Sequence, residues 1–196
     1  MGQYYRIALV NHEWKVKVIK PSGYKLMEHA YYWSEAMKRV QNILYRDALN
    51  VMWVGDYSKI NSLVWKHEFE DMEDSYDKPY TESDLLDIEA PDYIEKDYHF
   101  YLINKSQYEF IDMTKQVRNS SLRDRYGWVV HPLPLLTLCE TEEASGDYHS
   151  ETGREHIGEW CGDIISIYRG SWAGEVAVEL EAQGYKDMTD IYMFKE

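Results

Sequence analysis

The sequence predicts an α+β fold: an antiparallel sheet built of hairpins, with one main helix (about 34–49) packed on it. Three observations predict it. Pairs of β-prone runs separated by short turn-forming stretches occur near both 4–19 and 98–112. Apolar residues recur at helical spacing once with clarity, after Ser34. Tyr appears 18 times against 4 Phe, a preference for rings with a polar tip that suits half-buried strand faces and contact surfaces.

The first hairpin joins Tyr4–Val10 to Trp14–Ile19 through Asn11-His12-Glu13, and Pro21-Ser22-Gly23 ends it. The helix takes Ser34 as its cap and carries Met37, Val40, Ile43, Leu44 and Ala48 on one face through Leu49. Val51–Val54 comes next as a short apolar strand closed by Gly55-Asp56. In the acidic stretch, Pro79 and Pro91 are breaks and a short helix is expected after Thr81 or Ser83. A second hairpin joins Tyr98–Ile103 to Tyr108–Asp112 around Asn104-Lys105-Ser106-Gln107. The stretch 114–125 is polar and loosely patterned, helix or loop. Trp128–His131 reads as a strand stopped by Pro132 and Pro134, and Ile164–Ile167 and Val176–Leu180 read as a last strand pair around Arg169-Gly170-Ser171.

A chain of 196 residues with 44% apolar content suffices for one domain, 1–196, with a proper core. No charged start leads into an apolar run and no stretch approaches eighteen apolar residues, so the expected location is cytoplasmic, without membrane association. Cys139 and Cys161 fit two free, largely buried thiols in a reducing compartment; a single disulfide between them is the other option. The net charge of −14 argues against direct nucleic-acid binding. Most of it is local. Residues 66–97 hold 13 acids against Lys66, Lys78 and Lys96, a density that favours mobility in part of the segment.

The pattern W-x-G-acid occurs three times: Trp53–Asp56, Trp160–Asp163 and Trp172–Glu175. As a structural device, Gly permits a bulge or close approach, Trp covers it and the acid faces outward. As a site, the same residues supply carboxylates. The structural reading is the more economical.

Further segments carry a resemblance. MGQYYRIALVN at the start, YKLMEHAY at 24–31, VMWVGDYSKI at 51–60, YLINKSQYEFIDM at 101–113, GWVVHPLPLLTL at 127–138, SGDY at 145–148 and IGEWCGDIISI at 157–167 stand in the order seen in a family of uncharacterised phage, prophage and bacterial proteins beginning M-G-Q-Y, which this chain resembles. The resemblance implies no particular activity. Family members look Gly-rich before the G-D-Y, where this chain has Cys139-Glu140-Thr141-Glu142-Glu143-Ala144, and that departure weakens a phosphate-binding backbone nest there.

The resemblance selects Glu28, His29, Asp56, Tyr57, Asn104, His131, Asp147, Tyr148 and Asp163 as ligand-binding candidates. Together they would suit general acid–base work or a divalent ion. Singly, Asp56 and Asp147 each sit in Gly-Asp-Tyr, where aspartate commonly caps a turn. Glu28 and His29 on a strand would face opposite ways. His131 precedes Pro132, which holds its backbone extended. His131, Cys139, His149, His156 and Cys161 lack the close spacing of a zinc site, and no metal or cofactor is selected. P-loop, dinucleotide, H-E-x-x-H and G-x-S-x-G patterns do not occur.

The expected function is that of a binding protein, a modulator or inhibitor of a host protein acting through an acidic, tyrosine-rich surface. The alternative is an enzyme or a small-ligand or metal binder with a carboxylate and histidine pocket.

Overall fold

The computed structural model describes residues 3–21, 25–58, 99–119, 121–139, 148, 152–170 and 174–195. The acidic segment 66–97 and its expected short helix, together with Asp147, His149 and Trp172, lie outside the described residues. The class is α+β, and among the described residues seven strands form one sheet in the order β2 (Val16–Ile19), β1 (Tyr5–Val10), β3 (Leu49–Gly55), β6 (Ile164–Gly170), β4 (His99–Asn104), β5 (Glu109–Asp112), β7 (Lys186–Asp187).

Strand β1 (Tyr5–Val10) is buried along its length because it runs between β2 (Val16–Ile19) and β3 (Leu49–Gly55), antiparallel to both. The second strand starts at Val16, not Trp14. Asn11 draws the connection tight by accepting the N–H groups of Glu13 and Lys15 at 3.0 and 2.9 Å, and Trp14 takes φ 63° to complete the turn. Glu28 and His29 lie in a helical turn, α1 (Leu26–His29), where the Glu28 carboxylate accepts the Lys25 N–H at 3.2 Å. Glu28 faces out and His29 in, a separation the helical turn achieves without a strand.

Helix α2 (Glu35–Arg46) begins as its sequence dictates, with the Ser34 hydroxyl accepting the Met37 N–H at 3.1 Å. It buries Met37, Val40, Ile43 and Leu44 and stops three residues before Leu49, which opens β3. The next strands are β4 (His99–Asn104) and β5 (Glu109–Asp112), antiparallel across a turn in which Tyr108 takes φ 57°. The loosely patterned stretch after them contains α3 (Met113–Arg118), capped by Asp112 through the Lys115 N–H at 2.8 Å.

Two expectations about the last third are corrected. Within 128–131, Val129 and Val130 form isolated bridges rather than a strand, and the segment leads into helix α4 (Pro132–Leu136), because Pro132 at its first position suits a helix start and His131 supplies the cap. After β6 (Ile164–Gly170), which pairs with β3 and β4, the run Val176–Leu180 belongs to a helix, α5 (Glu175–Ala182). Its Glu, Ala and Leu are good helix formers, and Val176 and Leu180, four apart, form its buried stripe. The chain then adds β7 (Lys186–Asp187) parallel to β5, so the sheet is mixed rather than wholly antiparallel.

Strand alternation sorts the core into two faces. Ile7, Leu9, Val51, Trp53, Phe100 and Leu102 join the helices α1, α2 and α4 on one side. On the other side Tyr101, Ile103 and Phe110 meet Val176 and Leu180 of α5, and Ala8 and Val54 meet Cys139.

Candidate functional site

The first tryptophan motif is an anchor for the sheet. Trp53 is fully buried, and its indole N–H donates to Nε2 of His29 at 2.9 Å. Its backbone N–H donates to the Thr137 carbonyl at 2.8 Å and its carbonyl accepts from Cys139 at 2.9 Å, so the 137–139 segment is fastened along β3. A Cβ on Gly55 would meet the amide end of the Gln3 side chain, which would have to shift. Asp56 accepts the Tyr4 N–H at 3.1 Å while donating its own N–H to the Tyr4 carbonyl at 2.9 Å, closing the end of the β1–β3 pair. Tyr57 beside it is half exposed.

The second motif performs the same task with different partners. The Trp160 indole, also fully buried, donates to Glu109 Oε2 at 2.8 Å, and that oxygen also accepts the Tyr192 hydroxyl at 3.0 Å. Burial and hydrogen bonding to Glu159 and Glu109 raise the Tyr192 pKa, so the hydroxyl stays a donor. Gly162 has φ +81°, the left-handed conformation that turns the chain into β6. Asp163 Oδ2 accepts from Asn104 Nδ2 at 2.8 Å and Gln107 Nε2 at 2.7 Å. Asn104 in turn accepts the Ser106 and Gln107 N–H groups at 2.9 and 3.0 Å. These three side chains pin the β4–β5 turn to the entrance of β6.

Both candidate imidazoles have committed lone pairs. His29 accepts at Nε2, which leaves its proton on Nδ1. His131, fully buried, accepts the Leu133 N–H at Nδ1 over 3.1 Å, which leaves its proton on Nε2, and that atom has no hydrogen-bond partner among the described residues. Burial pulls the His131 pKa down to about 3. Neither ring can accept a proton or bind a metal ion without giving up its present bond. Tyr148 is buried too, with its hydroxyl donating to the Thr152 carbonyl at 3.3 Å and its ring edge-on to Phe194.

Of the sequence candidates, the structure brings Asn104 and Asp163 together. Asp56 is elsewhere: Asp163 bonds to β3 at Val51 through its carbonyl, and Asp56 stands five residues further along, roughly 16 Å at the rise of a strand. Among the described residues no group of three or more His, Cys, Asp or Glu is placed to hold a metal ion. A groove of about 380 Å³ runs between the end of α2, β6 and α5, with Tyr45, Arg46, Lys105, Tyr168 and Glu179 on its walls, and none of the nine candidates lines it.

A surface feature not singled out in the sequence lies at 123–128. Tyr126 and Trp128 are 63% and 43% exposed, yet their rings are ordered in a row: Tyr31 to Trp128 at 4.5 Å, Trp128 to Tyr126 at 5.6 Å, and the Arg125 guanidinium 5.1 Å from the Tyr126 ring centre. Asp124 builds the loop that carries them. It is buried, accepts the N–H groups of Tyr126 and Trp128 at 2.9 and 2.8 Å, and donates its own N–H to the Trp128 carbonyl at 2.8 Å. Arg123 donates to the Gly127 carbonyl at 2.7 Å, and Tyr32 ties its N–H to Val129 at 3.2 Å, joining the loop to the Tyr31 turn. The signals in the sequence are D-R-Y-G-W, an aspartate two before an aromatic with Gly in the turn, and the Y-Y-W of residues 31–33.

No family model, no curated protein and no solved structure matches the chain. Fold and geometry define an α+β protein whose W-x-G-D motifs fasten the sheet and whose ordered aromatic row faces solvent. No helix among the described residues is long and apolar enough to cross a membrane.

Proposed function

We propose that the protein is a cytosolic binding protein that docks on another protein through the Tyr31–Trp128–Tyr126 row. The observation that carries this reading is the row itself: exposed Trp, Tyr and Arg held in fixed geometry by Asp124. These residue types concentrate binding energy at interfaces, and a loop fixed in advance loses little freedom on binding. The net charge of −14, dense in residues 66–97, supports a partner with a basic surface, drawn in by long-range attraction, and disfavours nucleic acid. Bound to such a partner in a host, the protein would act as its modulator or inhibitor. The pocket-based alternative has less support, since the imidazoles of His29 and His131 are already engaged within the core.

The test is capture of partners from a bacterial lysate by the intact protein and by the double variant Y126S/W128S, with both monitored by thermal unfolding. The expected outcome is a protein retained by the parent and lost, by at least about tenfold in affinity, from a variant of unchanged Tm. Neutralising the acids between Glu68 and Asp97 should weaken the same capture and remove its salt dependence. Equal capture by the double variant, or no partner for either protein, overturns the reading.

A further inference from the structure

Cys139 and Cys161 are 22 positions apart in sequence, and the fold brings them together on the sheet face opposite the main core. The path is legible in the backbone bonds to one edge of β3. Cys139 donates its N–H to the Trp53 carbonyl, and Gly162, next to Cys161, donates to the Val51 carbonyl, both at 2.9 Å. The two acceptors stand two residues apart, roughly 6.6 Å along the strand, and a hydrogen bond joins the two thiols. Two further bonds, Gly158 N–H to the Leu135 carbonyl at 2.9 Å and Trp160 N–H to the Leu136 carbonyl at 2.7 Å, hold the two segments against each other. Both cysteines are thiols, Cys139 buried and Cys161 partly open, and they pack with Ala8, Met52 and Val54.

We infer that Cys139 and Cys161 form a peroxide-oxidisable dithiol, with Cys161 as the attacking sulfur and Cys139 as the resolving one. The accessibility of Cys161 assigns it the first role. A hydrogen bond with Cys139 lowers the Cys161 pKa, against the opposing effects of burial and Asp163, and so favours its thiolate. The thiolate attacks one oxygen of hydrogen peroxide; an S–O bond forms, the O–O bond breaks, and the departing hydroxide takes a proton to leave as water. The Cys139 sulfur then attacks the sulfenic sulfur of Cys161; the S–S bond forms, the S–O bond breaks, and hydroxide leaves as water with the Cys139 proton. Two thiols are oxidised to one disulfide and one peroxide is reduced to two waters. The product ties the 137–139 segment covalently to the turn that carries the second tryptophan motif.

The intact protein is treated with hydrogen peroxide, alkylated without reduction, digested and analysed by mass spectrometry. A loss of two hydrogens is expected, with one linked pair of peptides carrying Cys139 and Cys161, reversed by dithiothreitol. Because the fold supplies the proximity, the link should form at least about tenfold faster in the native protein than in urea. In Cys139→Ser the reaction should stop at a sulfenic acid on Cys161 that dimedone traps. Links between chains, sulfinic acid on Cys161 of the parent, thiols that stay unreacted, or equal rates in urea would each overturn the assignment, and all four are read on the parent protein.

Discussion

Trp53–Asp56 and Trp160–Asp163 share a four-residue pattern, and comparing them position by position separates what the pattern does from what surrounds it. Each buries an indole completely and gives its N–H an acceptor from a distant element: a neutral imidazole, His29, for Trp53, and a carboxylate, Glu109, for Trp160. Each uses glycine, Gly55 beside the Gln3 side chain and Gly162 where the chain turns through φ +81°. Each ends in an aspartate that accepts N–H groups, one from the Tyr4 backbone, two from the side chains of Asn104 and Gln107. The shared residues therefore specify a mechanical task, to sink an indole and cap the chain leaving it. The chemistry of the acceptor is free to differ, and in the second anchor the acceptor Glu109 also takes the Tyr192 hydroxyl.

That difference sets the largest expected effect. Trp53→Phe removes the indole N–H from His29 and part of a fully buried ring, and should cost about 4 kcal/mol in urea unfolding. Trp160→Phe should cost about 1 kcal/mol less, because the Tyr192 hydroxyl still donates to Glu109. Adding Tyr192→Phe should erase that advantage. Equal costs for the two single variants would mean that the indole ring, not its hydrogen bond, is what each anchor supplies.

Acid sharpens the comparison from another side. The histidine side of the molecule includes His131, whose backbone N–H donates to the Ala30 carbonyl next to His29 at 3.0 Å. Its folded pKa, about 3, lies below the ordinary 6.5, so between those values the unfolded chain binds the extra proton. Stability from this group is complete above pH 6.5 and falls as pH falls toward 3, by about 2 kcal/mol from pH 6.5 to 4.5. His131→Asn keeps a side-chain acceptor for the Leu133 N–H and removes the titration, so its stability should lose that slope. Urea midpoints across the pH range check this, and an unchanged slope would place the acid sensitivity in other groups.

How much of the molecule is legible in its sequence depends on the range of the interactions involved. The Ser34 cap and the periodic face of α2 are local, and they stand where the residues put them. Asp56 is the opposite case: Gly-Asp-Tyr reads as a local turn cap, whereas its carboxylate accepts the N–H of Tyr4, far away in sequence, at the end of the β1–β3 pair. Val176–Leu180 reads as a strand because two valines suggest one, while the decisive fact, that Val176 and Leu180 cover Tyr101 and Ile103 at helical spacing, depends on a strand far away in sequence. His131 reads from Pro132 as an extended residue, in keeping with its ψ of 130°, but its engagement as a helix cap depends on Pro132–Leu136 coiling. The aromatic row is hidden altogether, and the cysteine pair stands in the sequence only as one of two options, since Tyr31 meets Trp128, and Cys139 meets Cys161, only after the loops have been fastened to the sheet.

The smallest effects belong to the two aspartates, and they decide whether either carboxylate does more than hold backbone in place. Asp163→Ala strips acceptors from the fully buried Asn104 and from Gln107, and should cost about 2 kcal/mol. Asp163→Asn keeps one carbonyl oxygen able to accept both bonds, so it should recover most of that loss. Asp56→Ala leaves the Tyr4 N–H near solvent, where water replaces the lost oxygen, and should cost only about 0.5–1 kcal/mol. Thermal unfolding of the three variants gives the ranking directly. If Asp163→Asn were as costly as Asp163→Ala, charge rather than hydrogen-bond geometry would be what the second motif contributes, and its likeness to the first would end at the tryptophan.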